Sequence, residues 1–153
     1  MSDFQPITST DPIAQIIKSA FDMETELSGG WGYTQEDATV IHSTNDIPLE
    51  QFQHTLATMR AYIEMNMTLP AERRYGSINP SEVQREVLTV DGESYEKVTY
   101  LVSGMREDLY AAFINEYKKG YGTPDFDMSD HFERRKEATL TRQVEHWFID
   151  RTV

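Results

Sequence analysis

Asp91-Gly92 stands between two runs rich in Val, Thr and Tyr. A two-residue loop of this kind needs positive φ at both central positions, which Asp and Gly tolerate, and it closes a hairpin through a type I′ turn. The loop length also fixes the register. Val90 faces Glu93, Leu88 faces Tyr95, and Glu86 faces Lys97. The last pair, of opposite charge, is worth about 0.2–1 kcal/mol. Val83, Val87, Val98 and Tyr100 fall on the other face. Both faces are thus partly apolar, and a sheet covered in part on both sides is expected. The spacing predicts strands over 84–90 and 93–102.

Helices are expected on either side of this hairpin. Asp11 offers a carboxylate cap, Pro12 suits a first helical position, and Ile13, Ile16, Ile17, Ala20, Phe21 and Leu27 line one stripe, so a helix is predicted over 11–27. Gly29-Gly30 would stop it. Ala38–His42 reads as a short strand. Asn45, Asp46 and Pro48 open a second helix, which runs to Met67 with Leu49, Phe52, Leu56, Met59 and Ile63 as its seam. Residues 70–82 read as a polar loop. Ser103 would cap a third helix over 104–119, and Ser129 a fourth over 129–150, with Phe132, Leu140, Val144, Trp147 and Phe148 as its apolar face. The expected class is α+β, a small antiparallel sheet of about three strands with about four helices, in the order α-β-α-β-β-α-α. Residues 1–153 are read as one domain.

Composition narrows the function classes. Leu, Ile, Val and Phe make up 33 of 153 residues, just enough for a modest core at a net charge of −12. Cysteine is absent, which excludes disulfides, thiolate metal sites and Cys nucleophiles. The amino-terminal stretch has neither a basic nor an apolar signal region, and no apolar run reaches 18 residues. The negative charge argues against nucleic acid and anionic membranes as partners. A cytoplasmic location is expected.

The chemistry-bearing residues are sparse. His42, His54, His131 and His146 lie far apart, with no helical i, i+4 pair, so no metal site is expected. His54 is expected to face solvent. No GxSxG or SxxK motif is present. Ser28–Gly32 faintly resembles an anion loop, but a helix stop and a bend explain it better. Asp22, Glu24 and Glu26 would sit in the last turns of the first helix, where the dipole disfavours them. With Glu36 and Asp37 they form a candidate acidic patch. Arg73, Arg74 and Tyr75 make a basic knot which, with Trp31, Tyr33 and His42, could line a small-molecule pocket. Arg134-Arg135-Lys136 reads as a solvated stripe balanced by Asp130, Glu133 and Glu137.

The leading expectation is a non-enzymatic accessory, regulatory or inhibitor-type domain whose acidic patch docks a protein with a basic surface, with no cofactor. The first alternative is a small-molecule-binding protein or small enzyme using the pocket just named. The second is a self-associating protein, joined through the Leu49–Ile63 seam or the Trp147-Phe148 end.

Overall fold

The hairpin turns where the sequence predicts, and its strands are longer than expected. In the computed structural model, which describes residues 4–152, Asp91 has φ 52° and Gly92 φ 81°. Val90 pairs with Glu93, Leu88 with Tyr95 and Glu86 with Lys97. Residues 1–3 and 153, Asp3 of the acidic amino-terminal region among them, lie outside the described residues.

The chain begins with helix α1 (Ile13–Phe21), followed by strands β1 (Glu26–Gly29) and β2 (Thr39–Ser43). Helix α2 (Leu49–Tyr62) continues into a π-helical turn (Ile63–Met67). The hairpin strands are β3 (Tyr75–Val90) and β4 (Glu93–Arg106). Helices α3 (Glu107–Gly120) and α4 (Met128–Ala138) come next, and β5 (Leu140–Asp150) ends the order. The sheet runs β1-β2-β5-β4-β3 and is mixed, because β2 and β5 are parallel.

Five strands replace the expected three, and each difference has a local cause. Helix α1 stops at Phe21, where Asp22 takes a left-handed conformation, φ 54°. Aspartate tolerates this backbone better than most residues. The chain is therefore extended by Glu26, and Leu27 pairs with Ile41 instead of lying on a helix. Pro12, not Asp11, holds the cap position, and no side chain caps it. Much of the expected 70–82 loop is strand. Pro80 fits because β3 is an edge strand, and irregularities between Gly76 and Asn79 and between Glu82 and Gln84 absorb the breaks in pairing. The expected fourth helix ends at Ala138, and the rest of its range is β5.

One face of the sheet carries the core. Val98, Tyr100 and Val102 of β4, Phe148 of β5 and Ile41 of β2 pack in one buried cluster with Phe52, Leu56 and Met59 of α2 and with Ile13 and Ile17 of α1. Val83 and Val87, expected to share a face with Val98 and Tyr100, are 51% and 66% exposed. The hairpin tip thus lies beyond the helices, and the expected cover on both faces is not found there. Tyr95 and Trp147 meet edge to face, with Lys97 over the indole.

Helices α3 and α4 interrupt two strands that pair directly with each other, β4 and β5. They hold together through a small aromatic knot. Phe113, Tyr117, Phe126 and Phe132 surround the fully buried ring of His131, whose Nδ1 lies 3.0 Å from a Glu116 oxygen. Arg134 bridges Glu116 and Asp130. Asp127, two residues before the expected Ser129, caps α4 by accepting from the Asp130 amide.

Candidate functional site

Helix α2 and the π-helical turn that continues it carry two charged residues onto their buried side. Arg60 and Glu64 continue the spacing of the apolar seam, one turn and two turns after Leu56, and are only 2% and 3% exposed. Charges are rarely buried unless they are paired and hydrogen-bonded. Here β5 and the loop after β1 supply the partners. Glu64 accepts from the Tyr33 hydroxyl at 2.5 Å and from Arg142 at 2.8 Å. Arg60 donates to the backbone oxygens of Trp31, at 3.1 Å, and Glu145, at 2.8 Å. Its guanidinium also lies 4.5 Å from the Tyr33 ring centroid. Burial, the neighbouring Glu64 charge and the hydrogen bond to it push the Tyr33 hydroxyl above its ordinary range. Burial pulls the Arg60 guanidinium below its own.

The π-helical turn makes this placement feasible. Ile63, Glu64, Met65 and Asn66 are four consecutive buried residues, and only Met67 at its end is exposed. Such turns recur at functional sites. Asn66 donates to the Tyr75 carbonyl and to Glu107, which fixes the turn against the start of β3.

A segment without regular structure, residues 4–11, crosses this cluster. The Ile7 amide donates to the Tyr33 hydroxyl at 2.9 Å. Phe4 lies edge-on to Tyr75 and over the Arg142 guanidinium, 4.8 Å away. A cavity flanks the segment on each side. The larger, about 780 Å³, is mostly apolar and is bounded by Ile7, Ile16, Ala20, Ile63, Met67 and Leu69, with Ser19 and Thr68 among its polar groups. The smaller, about 230 Å³, is bounded by Phe4, Tyr33, Arg60, Glu64, Arg142 and Val144. Pro6 belongs to both walls.

The residues singled out from sequence divide between sites. Tyr33 is at the centre of the cluster and Tyr75 at its margin. Trp31 is buried in the core and meets the cluster through its carbonyl. His42 is exposed elsewhere, on β2, 2.7 Å from the Ser28 hydroxyl. Arg73 is exposed, and Arg74 donates to the Leu69 carbonyl. Of the acids, Asp22 and Glu24 both pair with Lys18. Glu26 is exposed on β1. Glu36 and Asp37 lie in the loop joining β1 to β2, where Asp37 accepts from the Thr34 amide and hydroxyl. Asp22, at the C-terminal cap of α1, still faces the negative end of its dipole, whereas Glu24 and Glu26 lie beyond the helix and do not oppose it as expected. Lys18, in the last turn, is the residue that complements it. His54 is half-buried rather than solvent-facing, with Nε2 2.8 Å from the Pro80 carbonyl. Among the described residues no three His, Asp or Glu side chains are grouped so as to hold a metal ion, and no helix is long and apolar enough to cross a membrane.

Sequence reasoning missed Arg60, Glu64 and Arg142. For the first two the signal was present: charged residues at spacings that continue an apolar seam. Compared with known proteins, the chain matches no family model, no curated protein and no solved structure.

Proposed function

We propose that the chain is a small-molecule-binding protein, and that its ligand occupies the cavity of about 780 Å³ between residues 5–11, α1 and the end of α2. The cavity carries this reading. Its volume lies in the range of ligand sites, and its wall is apolar with a few convergent polar groups. A ligand with an apolar body and a hydroxyl or carbonyl within reach of Ser19, or a hydroxyl that donates to Thr68, whose own proton goes to the Ile63 carbonyl, suits it. The neighbouring polar groups already have partners, since Tyr33, Glu64 and Arg142 satisfy one another.

The test is a titration with 1-anilinonaphthalene-8-sulfonate as an apolar probe. One saturable site is expected in the parent protein. It should vanish in Ala20→Trp, which fills the cavity, and persist in Val87→Trp on the exposed hairpin. No saturable binding in the parent, or equal binding in both variants, would sink the reading.

A second reading keeps the acidic face as a dock for a basic protein partner, in the cytoplasm and away from nucleic acid and membranes. The exposure of Asp22, Glu24, Glu26 and Glu36 favours it. Association should then slow as salt rises and in Asp22→Asn/Glu26→Gln. Self-association through the Leu49–Ile63 seam has less support, because Phe52 and Leu56 are buried inside the chain itself.

A further inference from the structure

Among the described residues, seven of the fourteen Lys and Arg residues have a carboxylate within ion-pair distance. Of the other seven, Arg135 and Lys136 are sequence neighbours that share one cleft. Arg134 pairs with Asp130 as the sequence suggests. Arg135 and Lys136 do not pair with Glu133 or Glu137, or with any other acid among the described residues. Arg135 lies over the Phe132 ring, 5.7 Å from its centroid, and both bases line a cleft of about 320 Å³ where α4 meets the far end of the hairpin.

The other walls of this cleft carry hydroxyls and no carboxylate: Ser77, Ser103, Tyr110 and Thr139. Ser103 donates to the Asn79 carbonyl and Thr139 to the Arg135 carbonyl. Ser77 and Tyr110 make no side-chain hydrogen bond to the described protein groups. Ser77 also has φ 52°, in the irregular stretch of β3 between Gly76 and Asn79. A serine held in this conformation is strained, and strain of this sort gathers at ligand sites. Arg135 and Lys136 do lie in the last turn of α4, where the helix dipole favours cations. That dipole amounts to only about half a negative charge, against two positive side chains. Glu107, beside Gly76, is already engaged by Asn66.

We propose that this cleft is a subsite for the phosphate group of a small phosphate monoester. Arg135 and Lys136 would hold the oxyanion, with Ser77 and Tyr110 donating to its remaining oxygens. Its volume is that of about ten waters at ~30 Å³ each, more than a bare phosphate fills. The carbon portion would lie against Met105 and Phe132, which also form the wall.

Phenyl phosphate is the probe, titrated at constant ionic strength while the backbone amides of Ser77, Ser103 and Gly104 are followed by NMR. Saturable shifts are expected, at lower concentration than with inorganic phosphate. Arg135→Gln/Lys136→Gln should weaken binding at least tenfold. Lys118→Gln/Lys119→Gln, which removes the same charge from the end of α3, should leave it unchanged. Ser77→Gly relieves the strained backbone while deleting the hydroxyl, so it should fold and still bind more weakly. Absence of saturable shifts overturns the proposal, as does equal weakening by the two double variants. Binding of inorganic phosphate as tight as that of phenyl phosphate overturns the assignment to a monoester.

Discussion

The imidazole of His146 lies flat on the ring of Phe148, with centroids 4.1 Å apart and planes 10° from parallel. Both side chains point from β5 into the core and both are fully buried. His146 Nε2 is 3.1 Å from the Thr39 hydroxyl, which donates its own proton to the Gly30 carbonyl at 2.7 Å. The Thr39 oxygen can therefore only accept, so Nε2 carries the hydrogen. Nδ1 is left as a buried acceptor without a hydrogen-bond partner among the described residues. Burial, helped by the nearby Arg60 charge, holds this ring well below the ordinary histidine pKa of 6.5.

A pH dependence follows. The unfolded chain binds a proton at this histidine near pH 6.5, and the folded chain does not, so the unfolded state gains as pH falls. The contribution of His146 is fully present above about 6.5 and declines from there toward the depressed folded value. The urea midpoint of the parent should drop between pH 7.5 and 5.5, above the range where carboxylates titrate. In His146→Gln that slope should largely vanish, whatever the variant's absolute stability. An equal slope in both proteins would refute the assignment.

Two glycines with positive φ should respond differently to a side chain. At Gly32, φ 75°, a Cβ would lie 2.3 Å from His146 Cδ2 and 2.6 Å from the Trp147 carbonyl oxygen. Gly32→Ala combines backbone strain with overpacking and should cost about 2–4 kcal/mol in denaturant unfolding. At Gly92, φ 81°, an added Cβ meets nothing within 4 Å. Only the backbone conformation resists there. Gly92→Val should cost about 1 kcal/mol or more, and Gly92→Asn clearly less, because asparagine tolerates this conformation.

These positions also show what the sequence made legible. The hairpin was readable because one dipeptide dictates its own turn and register. The extent of α2 was readable from its seam. Strand β5 was not, for a physical reason. Its inward positions are Leu140, Arg142, Val144, His146 and Phe148, and the two polar residues break the alternation that marks a strand. What remains, Leu140, Val144, Trp147 and Phe148, has helical spacing by coincidence. Arg142 is polar because Glu64 needs a partner across the core, so the candidate site itself concealed the strand that carries it. In the same way Tyr33 was legible as a prominent aromatic, but its neighbours Arg60 and Glu64 come from another element, and no local pattern joins them.

Leu56 tests the core directly. It is 0% exposed and belongs to the same buried cluster as Val98 and Tyr100. Leu56→Ala loses the transfer energy of the removed atoms and leaves a cavity, for an expected loss of about 2–5 kcal/mol. The cost should not depend on protein concentration, because the seam packs within one chain. A concentration-dependent midpoint in urea would point instead to an interface between copies.

Glu64 is the keystone of the cluster under residues 4–11, and Glu64→Gln examines it with little change of shape. One carboxylate oxygen accepts from Tyr33 and the other from Arg142. An amide has a single acceptor oxygen, so either orientation leaves a donor unmet. If the oxygen turns to Tyr33, the amide nitrogen faces the Arg142 guanidinium, donor against donor. If it turns to Arg142, the Tyr33 hydroxyl, which also accepts the Ile7 amide, loses its own acceptor. Arg60 meanwhile keeps its carbonyl partners but loses the charge of the buried carboxylate beside it. Removing one partner of a buried charge pair costs about 3–5 kcal/mol, and that loss is expected in urea unfolding. Replacing both Glu64 and Arg142 by Met should recover part of it, since an apolar pair leaves fewer buried groups unmatched. The amide of Ile7 provides a local readout. With Tyr33 no longer fixed, its hydrogen exchange should speed up more than global destabilisation alone explains. A loss below about 1 kcal/mol, with Ile7 exchange unchanged, would mean that the cluster does not hold the segment in place.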